Sequence, residues 1–320
     1  MKVKDVLVTQ KKNFNILKQA YDNDRLSHAY LFYGEKGTGK KEMAYALACM
    51  LYCKNGCCFE CPECKRILSG NHINVSYITV DDDKKQISKE QIIQLQDEFS
   101  KTSLEEGPRV YIVDGIDETS ISGQNSLLKF IEEPQNKEKT IGIFIATELS
   151  NVVTTIQSRC VLEHFDNIPR DSLRNIIHES GIELIDASLL SCLTNDSDEA
   201  LEIYKNDNYF MVRDSFLELL DIKTKKDMTL FYLKNQMFYS DYQNLNMLLS
   251  FILQFLEDVN LSKNSADKLI LELLCDKILS YKKKNNNLEE KYENILNDFK
   301  MLKANVLAKN VFFDIVDKFI

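Results

Sequence analysis

The sequence predicts an α/β P-loop domain on a mostly parallel sheet, carrying a small cysteine module, followed by a small helical domain and an all-α C-terminal domain. Three observations predict it. Residues 29–41 read Ala-Tyr-Leu-Phe-Tyr-Gly-Glu-Lys-Gly-Thr-Gly-Lys-Lys, a short apolar run and a glycine-rich turn, and a helical pattern over 42–52 follows; this is the order of strand, phosphate loop and helix. Apolar runs then alternate with helical patterns as far as about residue 165, which implies parallel strands joined by helices, with any ligand at their carboxyl ends. Finally, all ten glycines lie at or before Gly181 and all four prolines at or before Pro169, so the rest of the chain lacks the usual turn residues of strands.

The loop residues have separable physical tasks. Gly34, Gly37 and Gly39 let the backbone turn tightly and aim its N–H groups inward, where a phosphate gains those hydrogen bonds and the positive end of the helix dipole. Thr38 lies between them, and Lys40 is placed to reach the outer phosphates. The next position departs from the pattern, which asks for a hydroxyl to ligate magnesium; the chain has Lys41.

With 320 residues, 44% hydrophobic and 28% charged, the chain can bury more than one core. A formal charge of -9 does not suit a protein that coats DNA. No apolar run approaches the length of a membrane span, about 18 residues, and the polar N-terminus is no signal peptide. These features predict a cytoplasmic protein without a membrane partner. Six of the nine cysteines fall between Cys49 and Cys64, a metal-like clustering rather than a disulfide framework.

Taken in order, residues 13–21 form a short helix ahead of the first strand. After the helix at 42–52 comes Cys53-Lys-Asn-Gly-Cys57-Cys58-Phe-Glu-Cys61-Pro-Glu-Cys64. Cys58, Cys61 and Cys64 make two overlapping C-x-x-C units with Cys53 upstream, a set that can surround zinc tetrahedrally; the alternatives are a redox pair or idle thiols. Cys57 competes with Cys58, though its spacing to Cys61 is less regular. Four thiolates close a site, so such a metal is structural.

Residues 75–80 read as a second strand. Residues 88–101 read as a helix opened by a capping box of Ser88 and Gln91, with Ile92, Leu95 and Phe99 facing inward. Residues 109–113 are a third strand, ending at Asp114-Gly115-Ile116-Asp117. In P-loop ATPases such an aspartate sits near the magnesium, and the following position commonly orients the attacking water. Gly115 carries no carboxylate, and Asp117 and Glu118 are poorly placed substitutes. Residues 126–133 form a helix stopped by Pro134, 141–147 a fourth strand and 161–165 a fifth. A smaller helical segment runs from Pro169 to about residue 206. Beyond it, Leu245, Leu248, Leu249, Ile252 and Phe255, then Ile295, Phe299, Leu302 and Val306, follow helical spacing in a bundle. Residues 282–287 read as a solvated loop rather than a nucleic-acid patch, having three lysines and no interleaved aromatics.

The run His28-Ala-Tyr-Leu-Phe-Tyr-Gly34, the cysteine module, Ser69-Gly-Asn-His72, Asn125-Ser-Leu-Leu-Lys-Phe-Ile-Glu-Glu-Pro134 and Ser158-Arg-Cys160 together resemble the bacterial clamp-loader branch of the AAA+ ATPases. The resemblance covers about the first 165 residues, in the family's order and spacing. It implies an AAA+ domain over 1–165 with a zinc module at 53–64, a helical lid over 166–206 and a helical collar for oligomerisation over 207–320. It makes Gly34 to Lys41 the Walker A segment, Asp114 the Walker B aspartate and Thr147 the sensor 1 residue. It gives zinc to Cys53, Cys58, Cys61 and Cys64. Arg159 becomes an arginine finger projected into the ATP site of a neighbouring subunit.

The implied partners are the tau/gamma and delta subunits, the beta sliding clamp and, through the assembly, primer-template DNA at the replisome. Residues 195–200, Asn-Asp-Ser-Asp-Glu-Ala, lack the basic sensor 2 residue of active relatives. With Lys41 and Gly115 that makes three departures, so the expected role is a non-hydrolysing stator; binding of ATP and Mg2+ without turnover stays open. The alternative is an ATP-hydrolysing motor subunit or related AAA+ ATPase. Polymerase activity would belong to the holoenzyme alone.

Overall fold

A computed structural model of the chain describes residues 3–81, 86–101, 105–132, 140–262, 269–285, 287–303 and 307–320. The chain divides into two compact units, Met1–Ile168 and Pro169–Ile320.

In the first unit, α1 (Val3–Thr9) and α2 (Lys11–Asp22) precede β1 (Ala29–Tyr33), and α3 (Lys40–Tyr52) and α4 (Pro62–Leu68) follow it. Next come β2 (Val75–Ile78), α5 (Lys89–Ser100), β3 (Arg109–Asp114), α6 (Ile121–Glu132), β4 (Thr140–Ala146), α7 (Thr154–Gln157) and β5 (Val161–His164). The five strands pair in the order β2-β3-β4-β1-β5, and every pairing is parallel. The interior strands β1 and β4 are nearly continuous apolar runs because both their faces are covered.

Alternation along the strands sends side chains to two cores. Tyr30, Phe32, Val110, Ile112, Ile141, Ile143 and Ile145 pack with the apolar side of α3. Ala29, Leu31, Tyr111, Val113, Phe144 and Ala146 pack with Ile92, Leu95 and Phe99 of α5 and Leu127 and Ile131 of α6. On β4 the Tyr111 side admits no side chain at 142, where a Cβ would lie 2.2 Å from the phenol oxygen; glycine there is a packing requirement.

The predicted strands and the helix after the loop are present with ends shifted by one to two residues, and α5 carries the expected box, Ser88 accepting from the Gln91 N–H. Two expectations need correction here. The helix expected from 126 starts at Ile121, because Ser122, Gly123 and Gln124 hide the helical pattern while Gln124 is buried to bond the Thr119 and Asn151 carbonyls. A further helix, α1, precedes the expected one. Glu133 and Pro134 lie outside the described residues.

The second unit is helical among its described residues: α8 (Arg170–Glu179), α9 (Leu184–Leu190), α10 (Ser197–Tyr204), α11 (Asp207–Leu219), α12 (Lys225–Lys234), α13 (Tyr242–Leu261), α14 (Cys275–Lys284), α15 (Leu288–Lys303) and α16 (Ala308–Phe319). The expected stripe of α13 is buried from Leu245 to Phe255. Ile295 is buried on α15, while the side chains of Leu302 and Val306 lie outside the described residues. Lys282, Lys283 and Lys284 are not loop residues: they form the last turn of α14, where cations meet the negative end of the helix. Asp196 caps α10, whose first turn holds Asp198 and Glu199, an anionic start that suits a helix N-terminus.

Candidate functional site

The parallel register brings the ends of β3, β4 and β1 to one edge, since Asp114 pairs with Ile145 and Tyr33 with Ala146. Asp114, Thr147 and the loop that follows Tyr33 therefore share the carboxyl end of the sheet. Gly34 has φ 145, and a Cβ there would stand 2.4 Å from the Phe165 carbonyl oxygen. Gly39 has φ 88 at the start of α3. Thr38 is buried and donates to the Glu35 carbonyl at 2.8 Å. Gln10 pins the loop from outside, donating to the carbonyls of Thr38 at 3.0 Å and Asp166 at 2.6 Å.

Lys40 is buried, and its ammonium donates to the carbonyls of Gly34 at 2.6 Å and Glu35 at 2.5 Å and to the Thr38 hydroxyl at 3.3 Å. The loop's own oxygens thus hold the charge that a phosphate would otherwise meet. Burial lowers the Lys40 pKa to about 8 against the opposing pull of Asp114, Asp117, Glu42 and Glu35. Its folded pKa lies below the unfolded value, so between pH 8 and 10.5 the unfolded chain holds more protons and stability rises with pH. Relative to Lys40→Met, the native chain should gain about 3 kcal/mol of unfolding free energy across that window, read by urea denaturation at each pH. A pH-independent difference would contradict the burial of a charged lysine.

Beyond Lys40, the two residues expected to lie nearest a metal, Lys41 and Asp114, make contacts within the chain. The Lys41 ammonium lies 4.6 Å from the centroid of the Tyr77 ring. That ring stacks on Tyr45, and its hydroxyl donates to Asp114 Oδ2 at 2.7 Å. Burial and the Asp114 charge push the Tyr77 phenol upward, which keeps it a donor. Gly115 has φ 95, a left-handed conformation that disfavours glutamate. Asp117 is committed as well: its Oδ2 accepts from the N–H groups of Thr147 at 3.0 Å and Glu148 at 2.8 Å. Through Oδ2 it braces the exposed Thr147.

Cys53 ends α3 and Cys61 caps α4, and the sulfurs of Cys53, Cys58, Cys61 and Cys64 all lie within 4.8 Å of one another. Sγ of Cys53 is 3.4 Å from that of Cys58 and 3.9 Å from that of Cys61. A tetrahedron of thiolates about zinc has edges of about 3.8 Å, so the donor set fits such a metal. Backbone N–H groups of Cys58, Cys61 and Cys64 point at the sulfurs of Cys53, Cys58 and Cys61 in turn, at 3.3–3.5 Å. Burial works against a charged Cys53, yet N–H groups of Cys58, Asn55 and Cys57 with the Cys58 thiol bring it to about 6. Cys57 turns away to the Ala46 carbonyl, 3.3 Å distant, and does not join the four. Nearby His72 is buried, its Nδ1 accepting from the Asn74 N–H and its Nε2 3.3 Å from Glu63, so the Ser69-Gly-Asn-His72 turn braces α4.

Arg159 follows α7 at the turn into β5 and is exposed. Its Nη1 donates to the Thr155 carbonyl at 2.9 Å and the Ser158 hydroxyl at 3.3 Å, and its Nε to Glu132 at 2.6 Å. Sequence reasoning missed Tyr77 and Gln10, and it singled out Glu132 only as a letter of the run at 125–134, without a role. Each acts across at least 27 residues, so its partner is not marked by the local pattern.

A family model described as DNA polymerase III, delta subunit matches residues 9–169. The DNA polymerase III subunit delta' of Bacillus subtilis is 35% identical over 282 residues, covering 86% of this chain and 84% of that protein. The subunit delta' of Pseudomonas aeruginosa is 31% identical over 139 residues, 42% of each chain. The subunit tau/gamma of Haemophilus influenzae is 30% identical over 192 residues, 58% of this chain and 27% of that protein.

Proposed function

The chain belongs to the delta-prime family of DNA polymerase III subunits, and from that premise we propose that it is the non-hydrolysing stator of a bacterial clamp loader. In this reading the subunit helps to load the beta sliding clamp onto primed DNA and completes the ATP site of a neighbouring tau/gamma subunit with Arg159. Residues 1–165 serve as the AAA+ domain, 166–206 as the lid and 207–320 as the collar that joins the other subunits, delta among them. The assembly works on DNA in the cytoplasm. Among the described residues no helix is long and apolar enough to cross a membrane.

The observation that carries the reading is the chain of contacts from Lys41 to Tyr77 to Asp114. An ammonium stands where a magnesium-ligating hydroxyl is required, and the aspartate that would face the metal is held by a phenol. Gly115 supplies no carboxylate to a water, and Asp117 is bonded to backbone. Hydrolysis thus falls to partners, and what this chain offers is a positioned cation on its surface. Cys53, Cys58, Cys61 and Cys64 would hold zinc, which ties the end of α3 to the start of α4 and takes no part in chemistry.

The purified chain should show no ATP turnover in the presence of Mg2+, and mixing it with tau/gamma, delta, the clamp and primed DNA should stimulate turnover in an Arg159-dependent way. Steady hydrolysis by the chain alone, abolished in Lys40→Ala, would overturn the stator reading and make this subunit a motor.

A further inference from the structure

Glu132 closes α6, and its carboxylate reaches Arg159 across 27 residues of sequence, Oε1 accepting from Nε at 2.6 Å and also engaging Nη2. On the other side the arginine's own turn supplies the Thr155 carbonyl and the Ser158 hydroxyl to Nη1. The guanidinium is therefore gripped from two elements, α6 and the end of α7, and its plane is set by both. Water reaches both partners, with 37% of the Arg159 side chain and 45% of that of Glu132 exposed. Ion pairs that wet contribute little to folding. What this one does set is direction: an exposed arginine otherwise samples many rotamers, and that freedom must be lost before it can meet a phosphate in one geometry.

Resting on the reading of Arg159 as the finger for a neighbour's ATP, we propose that Glu132 is the positioning residue that pre-orients this guanidinium. Glu132 touches no substrate. It holds Nε and one side of Nη2 and leaves the other N–H of Nη2 for the transferring phosphoryl group, so the entropy of fixing a long side chain is met before the transition state rather than in it.

The test uses the full reconstituted assembly with clamp and primed DNA, carrying Glu132→Ala, Glu132→Gln, Arg159→Ala or the Glu132→Ala/Arg159→Ala pair. Glu132→Ala should lower kcat for ATP about three- to tenfold with KM for ATP unchanged, a modest misalignment effect. Glu132→Gln, whose amide oxygen still accepts from Nε, should recover most of the rate. The double variant should be no slower than Arg159→Ala, since a residue that acts only through the arginine has nothing left to orient. A normal rate in Glu132→Ala beside a slow Arg159→Ala overturns the proposal and leaves the finger in place, and so does a double variant slower by the full product of the single losses. A normal rate in Arg159→Ala removes the finger reading itself and this proposal with it.

Discussion

Replacing Arg159 with alanine should slow phosphoryl transfer at the neighbouring ATP site proposed for it by about a thousandfold, the lower end of what a finger supplied in trans is worth. The arginine's contacts lie within its own turn and with Glu132, all at the surface. Truncation therefore removes an exposed ion pair of about 0–1 kcal/mol, and melting of the subunit and its assembly with partners should stay nearly intact. Arg159→Lys should not rescue, because a point charge cannot present two parallel donors to phosphate oxygens. Single-turnover measurements on the reconstituted complex with DNA separate this site from the bulk rate. An unchanged rate would return Arg159 to the role that its local bonds alone suggest, a cap on the end of α7.

Cys61→Ser should strip zinc from the chain and destabilise the first unit by about 3 kcal/mol, the scale of a lost structural metal in a domain that keeps its own core. The reason is geometric. Between α3 and α4 the backbone passes through left-handed conformations at Gly56, Cys57 and Phe59, a path with few backbone bonds to hold it. Four sulfurs drawn to one ion would hold that path closed, and α3 leads back to the phosphate loop. A loss of this size corresponds to a fall of about 6–12 °C in Tm for a unit of this length. Cys57→Ser should retain the metal, since its sulfur faces the Ala46 carbonyl instead. Full zinc content with unchanged melting in Cys61→Ser would contradict the assignment.

Much of the architecture is legible in the sequence alone. The strand, loop and helix at 29–52 announce themselves by composition, and the box at Ser88 and the stripe of Ile92, Leu95 and Phe99 by spacing. The helical character of the second half follows from its want of glycine and proline. These are local signals, each contained within a few turns of chain. Ends were less legible: α6 begins at residues whose polarity hides their burial, and the lysines at 282–284 look solvated whether they close a helix or fill a loop.

The same division runs through the site. The sequence determined which chemistry-bearing residues exist and which are missing: Lys40 is present, a hydroxyl at 41 and a carboxylate at 115 are absent, four cysteines stand at metal spacing and an arginine follows Ser158. Tertiary structure alone decided what those residues touch. Pairing of β2 with β3 places Tyr77 beside Asp114 and beneath Lys41, and the end of α6 carries Glu132 to Arg159. Choice between Cys57 and Cys58 depended on which way one left-handed residue aims its sulfur. A residue's capacity is a property of its side chain and travels with the letter; its partner is set by a fold that brings distant segments within hydrogen-bond reach.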